Sequence, residues 1–310
     1  MTGNLPSDPS ERARELVRGS YDLHVHIEPD VMKRRTDDID LARRGLEVGL
    51  AGFVLKSHYV PTGERASVVR KAVPGADARG AITLNNSVGG MNPTAVEIAA
   101  RSGTSVVWFP TVDSSNQRAS QARDPEGARP PMWAALQQEL RERGISAGPV
   151  PILTEDGSVT EDVRQVIALI AEHNMVLATG HLSSAEIMTV VAAAVEAKAE
   201  RIIVTHPEFT SQRVPPDAQR ELAARGAYLE RCFTTAHTGK VTWEEMFANI
   251  RAAGPEHSLI ASDLGQPFNP PVEDGLALMA DKLLAAGFTE KEIGLMTVRN
   301  SRRLMGAVEA

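Results

Sequence analysis

The sequence predicts a single-domain α/β protein with a (β/α)8 TIM-barrel fold. Eight short apolar segments alternate with amphipathic segments, in which apolar residues recur about every 3.6 residues. The first apolar segment lies in "YDLHVHIEPD" (21–30) and lacks the G-x-G-x-x-G turn that often follows the first strand of an open doubly wound sheet. The length of 310 residues accommodates one barrel of about 250 residues with extensions.

The apolar segments are predicted as the parallel strands, and the amphipathic segments as the helices between them. The strands span residues 21–26, 51–58, 80–87, 105–112, 175–181, 201–206, 227–233 and 258–263. The helices span residues 37–49, 92–103, 159–173, 183–198, 215–226, 242–254 and 272–287, and a closing helix begins at residue 296. Asn92, Thr160 and Ser183 are predicted helix N-caps. "HYVPTGERA" (58–66) is assigned to a loop.

A long insertion separates the fourth and fifth predicted strands. Residues 113–131 are polar and rich in Pro, Gly, Ser and Arg, which predicts a loop over the catalytic end of the barrel. A helix in "MWAALQQELRERG" (132–144) follows, and then a hairpin in "GPVPILTEDGSVT" (148–160) that turns at Asp156-Gly157. Residues 1–20 are predicted as a polar, helical N-terminal extension, and residues 21–310 as the barrel domain.

Composition excludes several classes of partner. The net charge of −7 and the lack of a strong basic patch argue against nucleic acid, and "KRR" at 33–35 is assigned to solvated surface. No run approaches the roughly 18 apolar residues of a membrane span, and the polar start resembles no signal peptide. The single cysteine, Cys232, cannot form an internal disulfide, so we expect a cytoplasmic protein. Barrel helices often pair, so a homo-oligomer is a further expectation.

Polar side chains stand at the C-terminal ends of all eight predicted strands, where barrels of this type place their active sites. In strand order these residues are His24 and His26, Lys56 and His58, Asn85 and Asn86, Thr111, His181, His206, Glu230, and Asp263. His24 and His26 project to the same face because side chains alternate along a strand. The competing interpretation treats each residue separately as a polar strand end in contact with water. Elsewhere, His173 is expected to cap a helix, and His257 to lie on the surface at the opposite end.

Imidazoles with one aspartate are the ligands that Zn²⁺ prefers, although Mn²⁺, Fe²⁺ or Co²⁺ also suit them. One or two such ions would lower the pKa of bound water to about 7 and so provide hydroxide at neutral pH. Asp263 is positioned both to bind an ion and to act as general base and acid. The nucleophile would attack a carbonyl or similar centre of a small-molecule substrate.

Four motifs resemble the amidohydrolase superfamily of metal-dependent hydrolases over about residues 20–306. They are "DLHVH", "TGH", "VTH" and "SD" on strands one, five, six and eight, and the tail "NSRRLMG" is similar to the short helix that often ends these barrels. Within this superfamily we expect a compact, barrel-only member without the flanking β-sandwich of many others. The resemblance implies that His24, His26 and Asp263 hold one metal ion, and that His181 and His206 hold or face a second.

The sequence departs from this pattern at the residue that bridges two metal ions. The superfamily usually supplies a carboxylated lysine or a glutamate from strand four, where this chain offers Thr111 and Asp113. Lys56 lies in an apolar run, where an unpaired ammonium is costly. Three roles remain open for Lys56: a carboxylated bridge, a cation that binds a substrate carboxylate or oxyanion, or an ion pair with Glu230.

The remaining polar strand ends are expected to contact substrate. These residues are His58, Asn85, Asn86, Thr111, Glu230 and His237. For His58 a hydrogen bond to a metal ligand is the alternative, and for the two asparagines the alternative is to satisfy backbone groups.

Three functions are compatible with these residues. The first is hydrolysis of an amide, cyclic amide or lactone in a small metabolite. The second is metal-dependent decarboxylation or another lyase reaction, as some compact barrels of the superfamily catalyse. The third is a barrel that binds metal or ligand without turnover.

Overall fold

The eight predicted strands form a nearly closed parallel barrel in the computed structural model, which describes residues 8–120, 131–145 and 147–307. Neighbouring strands in the sequence are neighbours in the sheet, from the first to the eighth. The strands are β1 (Tyr21–Val25), β2 (Gly52–Leu55), β3 (Asp77–Thr83), β4 (Thr104–Trp108), β5 (Val176–Ala178), β6 (Ile202–Val204), β7 (Tyr228–Cys232) and β8 (Ser258–Ala261). This arrangement confirms the predicted (β/α)8 fold.

Helices connect the strands. They are α1 (Glu11–Leu16), α2 (Asp38–Glu47), α3 (Gly63–Ala72), α4 (Pro93–Arg101), α5 (Ser115–Ser120), α6 (Trp133–Glu142), α7 (Glu161–Glu172), α8 (Ser184–Glu196), α9 (Pro216–Ala224), α10 (Phe233–His237), α11 (Trp243–Ala253), α12 (Gly275–Ala285), α13 (Glu290–Gly294) and α14 (Asn300–Leu304). Short 3-10 turns span Asn86–Val88, Pro255–His257 and Val272–Asp274, and a π-helical turn spans Leu295–Arg299. In the described parts of the chain, no helix combines the length and apolarity needed to cross a membrane.

The predicted N-caps are confirmed. The side chains of Asn92, Thr160 and Ser183 each accept a hydrogen bond from a backbone N–H in the first turn of the following helix. His173 is the C-cap residue of α7, and its Nε2 lies 2.7 Å from a carboxylate oxygen of Glu97.

The loop predicted for residues 58–66 is wrong at its end, where a helix begins. The segment "HYVPTGERA" contributes its last residues to α3, which continues to Ala72. Only the faces around Ala66 and Val69 are buried, whereas Val68 is 63% exposed. The apolar periodicity is therefore weak, and packing against the barrel rather than a strong sequence pattern stabilises this helix.

The insertion between β4 and β5 is described except for residues 121–130 and 146, so the central part of the predicted loop lies outside the described residues. Its described part contains α5 and α6. An antiparallel bridge then joins Leu153 to Val159, and the backbone N–H of Thr154 donates to the carbonyl of Ser158. The N-terminal helix α1 contacts α12 and α13, while residues 1–7 and 308–310 are not described. The division at residue 20 stays a prediction.

The barrel closes between β1 and the segment that follows β8. A parallel bridge joins Val25 to Leu264, and the N–H of Asp263 donates to the carbonyl of His24 at 2.9 Å. Gly265 follows with φ 134°, and a Cβ at this position would lie 1.5 Å from the carbonyl oxygen of His26. Only glycine permits this approach of the two chains. The closure thus places the end of β8 beside the two histidines of β1.

Candidate metal centre

A cavity of about 150 Å³ opens at the C-terminal ends of the strands. In volume it resembles an engineered protein cavity that holds one benzene molecule. Four of the predicted metal ligands line it, namely His26, His181, His206 and Asp263. Lys56 also lines the cavity.

Five imidazoles form a closed ring, and four of them line this cavity. The ring centroids of His24 and His26 are 5.3 Å apart, and those of His26 and His58 are 5.0 Å apart. The ring continues from His58 to His181 at 6.1 Å, from His181 to His206 at 5.0 Å, and from His206 back to His24 at 5.9 Å. All five side chains are buried, although they come from four different strand ends. The fold therefore brings together imidazoles that lie far apart in the sequence.

Asp263 completes the cluster. Its Oδ1 lies 3.2 Å from Nε2 of His24 and 3.2 Å from Nε2 of His26, and its Oδ2 accepts a hydrogen bond from the hydroxyl of Thr234 at 2.9 Å. The ligand atoms of the two histidines and the aspartate all lie within 4.8 Å of one another. A second group that meets the same distance criterion, formed by His24, Glu230 and Cys232, shares His24 with the first.

Two residues of the centre have unusual backbone conformations. Asp263 has φ 51° and His206 has φ 22°, values that cost free energy for residues other than glycine. Before His181, Gly180 has φ 62°, and a Cβ there would lie 2.2 Å from the carbonyl oxygen of Phe109. The chain turns sharply at the ends of β5, β6 and β8, and these turns direct the polar side chains into the cavity.

Burial keeps the imidazoles neutral. Desolvation is the largest cause in each case: it lowers the pKa of His24 to about 3 and that of His206 to about 4. Burial likewise lowers the pKa of His26, His58 and His181 well below the usual value. A metal ion binds only the deprotonated nitrogen of histidine, so at neutral pH these side chains are in the state that a metal requires.

Glu230 orients His24. An oxygen of its buried carboxyl group lies 3.1 Å from Nδ1 of His24. When Nδ1 donates its proton to this carboxylate, the lone pair of Nε2 points toward Asp263, which is the usual arrangement of a histidine ligand with a carboxylate behind it. Burial raises the pKa of Glu230 to about 7. The geometry thus places Glu230 behind a ligand rather than at the cavity wall.

Lys56 contacts the same imidazole from the other side. Its Nζ lies 2.9 Å from Nε2 of His24 and 5.0 Å from the ring centroid of Trp108. Burial lowers the pKa of Lys56, while the charges of Asp263 and Glu230 oppose this shift. Among the described residues Lys56 forms no direct ion pair with Glu230, so this third predicted role is not the arrangement in the structure. The other two roles stay predictions.

Asn85 and Thr111 lie behind His58 rather than at the cavity surface. Both side chains are fully buried, and the hydroxyl of Thr111 lies 2.8 Å from Nδ1 of His58. The side-chain amide of Asn85 donates to the carbonyl of His58 at 2.8 Å and to the hydroxyl of Thr111 at 2.7 Å. These two residues therefore contact His58, which itself lines the cavity.

Asn86 and His237 lie outside the cavity. The side chain of Asn86 donates to the carbonyl of Gly148 at 2.9 Å, because the 3-10 turn after β3 directs it toward the insertion. The ring of His237 stacks on Phe233 with centroids 4.9 Å apart at the end of α10. The structure brings neither side chain to the ring of five imidazoles.

Arg34 lines the cavity, although its sequence context did not indicate this. This arginine belongs to the "KRR" run that was assigned to solvated surface, yet its side chain is only 3% exposed. Its Nε donates to Oδ2 of Asp30 at 2.7 Å, and this partner explains how the charge is accommodated. The Asp30–Arg34 spacing of four residues was the only sequence signal. An apolar rim was missed as well; it consists of Met32, Met132, Trp133, Phe209 and Phe268.

The fold is similar to those of amidohydrolase-family structures. An amidohydrolase from Pseudomonas aeruginosa matches with a TM-score of 0.59 at 10% identity, over 94% of this chain and 98% of the other. The probable dipeptidase PvdM from the same organism matches with a TM-score of 0.62 at 12% identity, over 96% and 97% of the two chains. A putative 2-pyrone-4,6-dicarboxylic acid hydrolase from Pseudomonas putida matches with a TM-score of 0.55 at 15% identity, over 93% and 97%.

At such low identity these similarities establish the barrel and confirm the resemblance at the level of the fold. A family model described as a family of unknown function, DUF6282, matches residues 19–230. No curated protein matches the chain.

Proposed function

Because the chain belongs to DUF6282, a family of unknown function, we propose its activity from the site: it is a metal-dependent hydrolase of an amide, cyclic amide or lactone bond in a small molecule. One observation carries the proposal. The Nε2 atoms of His24 and His26 both lie 3.2 Å from a single oxygen of Asp263, and both rings belong to the buried group of five neutral imidazoles. The barrel that the chain shares with amidohydrolase structures supports the same class of reaction.

The donor set fits a divalent ion. His24, His26 and Asp263 would hold it, and His181 and His206 would complete its coordination or hold a second ion. A buried nitrogen supports this assignment, since Nδ1 of His181 lacks a hydrogen-bond partner within the described residues. Imidazole and carboxylate favour Zn²⁺, with Mn²⁺, Fe²⁺ and Co²⁺ as alternatives. Such an ion supplies Lewis acidity and an acidified water at neutral pH.

The chain's own residues then have separate tasks. Asp263 accepts a proton from the attacking water and returns it to the leaving group, while the hydroxyl of Thr234 holds its second oxygen in place. Glu230 keeps the Nδ1 proton of His24 and fixes the orientation of that ring. The buried walls exclude bulk water from the reacting bond.

The test combines metal analysis with turnover. Purified protein should contain one or two divalent ions per chain, hydrolyse at least one member of a panel of small amides, cyclic amides and lactones, and lose that activity on chelation. Re-addition of Zn²⁺ should restore it. Full turnover by metal-free protein would overturn the proposal.

A variant of Lys56 tests whether this residue bridges two ions. If it is a carboxylated bridge, Lys56→Ala should reduce a two-ion occupancy to one or none. An unchanged occupancy of two would assign Lys56 to substrate binding instead. His173→Gln is the matched control, since that side chain lies at the end of α7 against Glu97 and should leave metal content unchanged.

A metal-dependent decarboxylase or other lyase remains the second candidate, because Lys56 and Arg34 place two cationic groups at the cavity wall. Trapping released CO₂ distinguishes the two reactions, since hydrolysis releases none. A protein that binds metal and ligand without any turnover would support the third, non-catalytic candidate.

A further inference from the structure

The part of the cavity wall next to β1 and β2 contains hydrogen-bond donors that the proposed metal chemistry does not use. Arg34 follows β1 in the chain, and His58 follows β2. Both are buried and both line the cavity. The hydrogen bonds behind each of them determine which atoms they present to a ligand.

The tautomer of His58 follows from a chain of hydrogen bonds that starts at the backbone. The side-chain oxygen of Asn85 accepts from the backbone N–H groups of Thr111 at 2.8 Å and Asp113 at 3.2 Å. This fixes the orientation of the amide, whose nitrogen then donates to the carbonyl of His58 and to the hydroxyl of Thr111. That hydroxyl accepts from Asn85, and Nδ1 of His58, 2.8 Å away, is the one acceptor among the described residues that its own proton reaches, so the hydroxyl donates to Nδ1.

It follows that the proton of neutral His58 resides on Nε2. His58 therefore differs from His24, whose Nδ1 faces the carboxylate of Glu230 and whose Nε2 carries a lone pair toward Asp263. A ring nitrogen that bears a proton cannot bind a metal ion but can donate a hydrogen bond. His58 is thus a donor beside the candidate metal ligands.

Arg34 supplies a second donor on the same wall. Two of its guanidinium nitrogens, Nε and Nη2, lie 2.7 Å from one oxygen of Asp30. Nη2 nevertheless forms no hydrogen bond with a described residue, and the side chain lines the cavity. The positive charge of Arg34 acts on the imidazoles of the cavity. After burial, this charge is the next largest cause that lowers the pKa of His26, and it also contributes to the lowered pKa of His58.

We propose that Arg34 and His58 form a subsite for a carboxylate group, so that the substrate of the proposed metal-dependent reaction is a small organic acid with an apolar body. Guanidinium and imidazole N–H groups are both donors, and a carboxylate offers only acceptors. The apolar rim beside Arg34, which includes Met32 and Trp133, accommodates the rest of the molecule. The reaction named in this inference rests on the proposed function, whereas the binding of a carboxylate does not.

Binding of benzoate and of benzamide to the full-length, metal-loaded protein tests the subsite by titration calorimetry. The two probes have the same shape, and only benzoate carries a negative charge. Benzoate should bind and benzamide should bind at least about tenfold more weakly, because a charge-assisted hydrogen bond contributes about 1.5–3 kcal/mol. Equal affinity for the two probes would overturn the subsite.

Variants assign the effect to the two donors. Asp30→Asn combined with Arg34→Met removes the buried ion pair without leaving an unpaired charge, and it should weaken benzoate binding about tenfold to hundredfold. Arg220→Met is the control, since that arginine pairs with Asp217 on the exposed face of α9. Unchanged benzoate affinity in the folded double variant would overturn the role of Arg34.

Variants of Thr111 test the tautomer of His58. A purely structural role of Thr111 would leave this tautomer unchanged. Long-range ¹⁵N–¹H correlation spectra should show the His58 proton on Nε2, with the resonance identified by its loss in His58→Gln. Thr111→Val should release this tautomer and weaken benzoate binding about twofold to tenfold, whereas Thr111→Ser should retain both. A proton on Nδ1 in the unmodified protein would overturn the hydrogen-bond chain.

Metal content, measured on the same samples, separates this proposal from the proposed function. If the protein discriminates benzoate from benzamide but contains no metal, the subsite proposal is supported and the proposed hydrolase activity is contradicted. A metal-containing hydrolase that does not discriminate the probes loses only the subsite.

Discussion

The two ends of the barrel interior differ in what fills them. Below the cavity, buried apolar side chains from all eight strands form one cluster, which includes Val54, Val106, Ile203 and Leu259. Above it, the C-terminal strand ends carry Asp263 and the ring of five imidazoles. Trp108 marks the boundary, since its ring belongs to the apolar cluster and lies 5.5 Å from the ring of His24.

The comparison shows how stability and chemistry are divided along each strand. The apolar end is stabilised by burial and close packing. The polar end contains buried atoms without a hydrogen-bond partner in the described residues, namely Nδ1 of His26, Nδ1 of His181 and Oε1 of Glu230, together with the positive φ angles of His206 and Asp263. Such features cost stability and are typical of functional sites. Substitutions at the two ends should therefore have opposite consequences.

Asp263→Asn should produce the largest effect at the polar end. The amide cannot accept the proton of the attacking water and is a poorer metal ligand, so kcat/KM should fall about 10²- to 10⁴-fold while the thermal midpoint is retained. Steady-state kinetics and elemental analysis on the same sample measure both changes. The control is Asp217→Asn, whose side chain is 87% exposed. Undiminished activity in Asp263→Asn would remove this residue from the reaction.

Ile203→Ala should produce the converse result at the apolar end. Ile203 is fully buried, and its truncation leaves a cavity that costs about 2–5 kcal/mol in the free energy of unfolding. Chemical denaturation measures this loss, and the metal content of the folded variant should stay unchanged. If Ile203→Ala instead lost metal without losing stability, the proposed division between the two ends would be wrong.

His206→Gln should change the pH dependence of stability, the smallest of the three effects. The folded pKa of His206 is about 4 because burial lowers it from 6.5, so between these values the unfolded chain binds a proton that the folded chain does not. The free energy of unfolding therefore rises with pH in this window. Removing the imidazole should reduce this slope by up to about 1.4 kcal/mol per pH unit in metal-free protein.

The control for this measurement is Ile203→Val, which belongs to the apolar end and contains no titratable group. It should lower the free energy of unfolding without changing its slope against pH. Parallel slopes for wild type and His206→Gln would show that burial does not hold this imidazole neutral.

Strand positions were predictable because a buried parallel strand is a short apolar run, whatever its neighbours. The strand ends were less so. β5 was expected to reach His181 but ends at Ala178, because Gly180 with φ 62° turns the chain out of the sheet. The same turn directs His181 into the cavity. The residue types at the strand ends thus indicated the site, while the backbone turns that form it depend on contacts such as that between Gly180 and Phe109.

The parts of the site that sequence did not reveal depend on contacts between loops. Arg34 resembles a surface arginine until the loop after β1 folds and buries it with Asp30. The distinction between His58 and the other imidazoles depends on Asn85 and Thr111, which lie 27 and 53 residues farther along the chain. Neither feature has a local periodicity, so no pattern of apolar residues could have predicted it.

Anomalous diffraction from crystals of the protein as purified, collected above and below the zinc absorption edge, tests the central claim most directly. We expect an anomalous peak within about 2.0–2.2 Å of Nε2 of His24, Nε2 of His26 and a carboxylate oxygen of Asp263. A second peak beside His181 and His206 would indicate a two-ion centre. Crystals grown from protein with saturating Zn²⁺ that show no peak at these three residues would contradict the account.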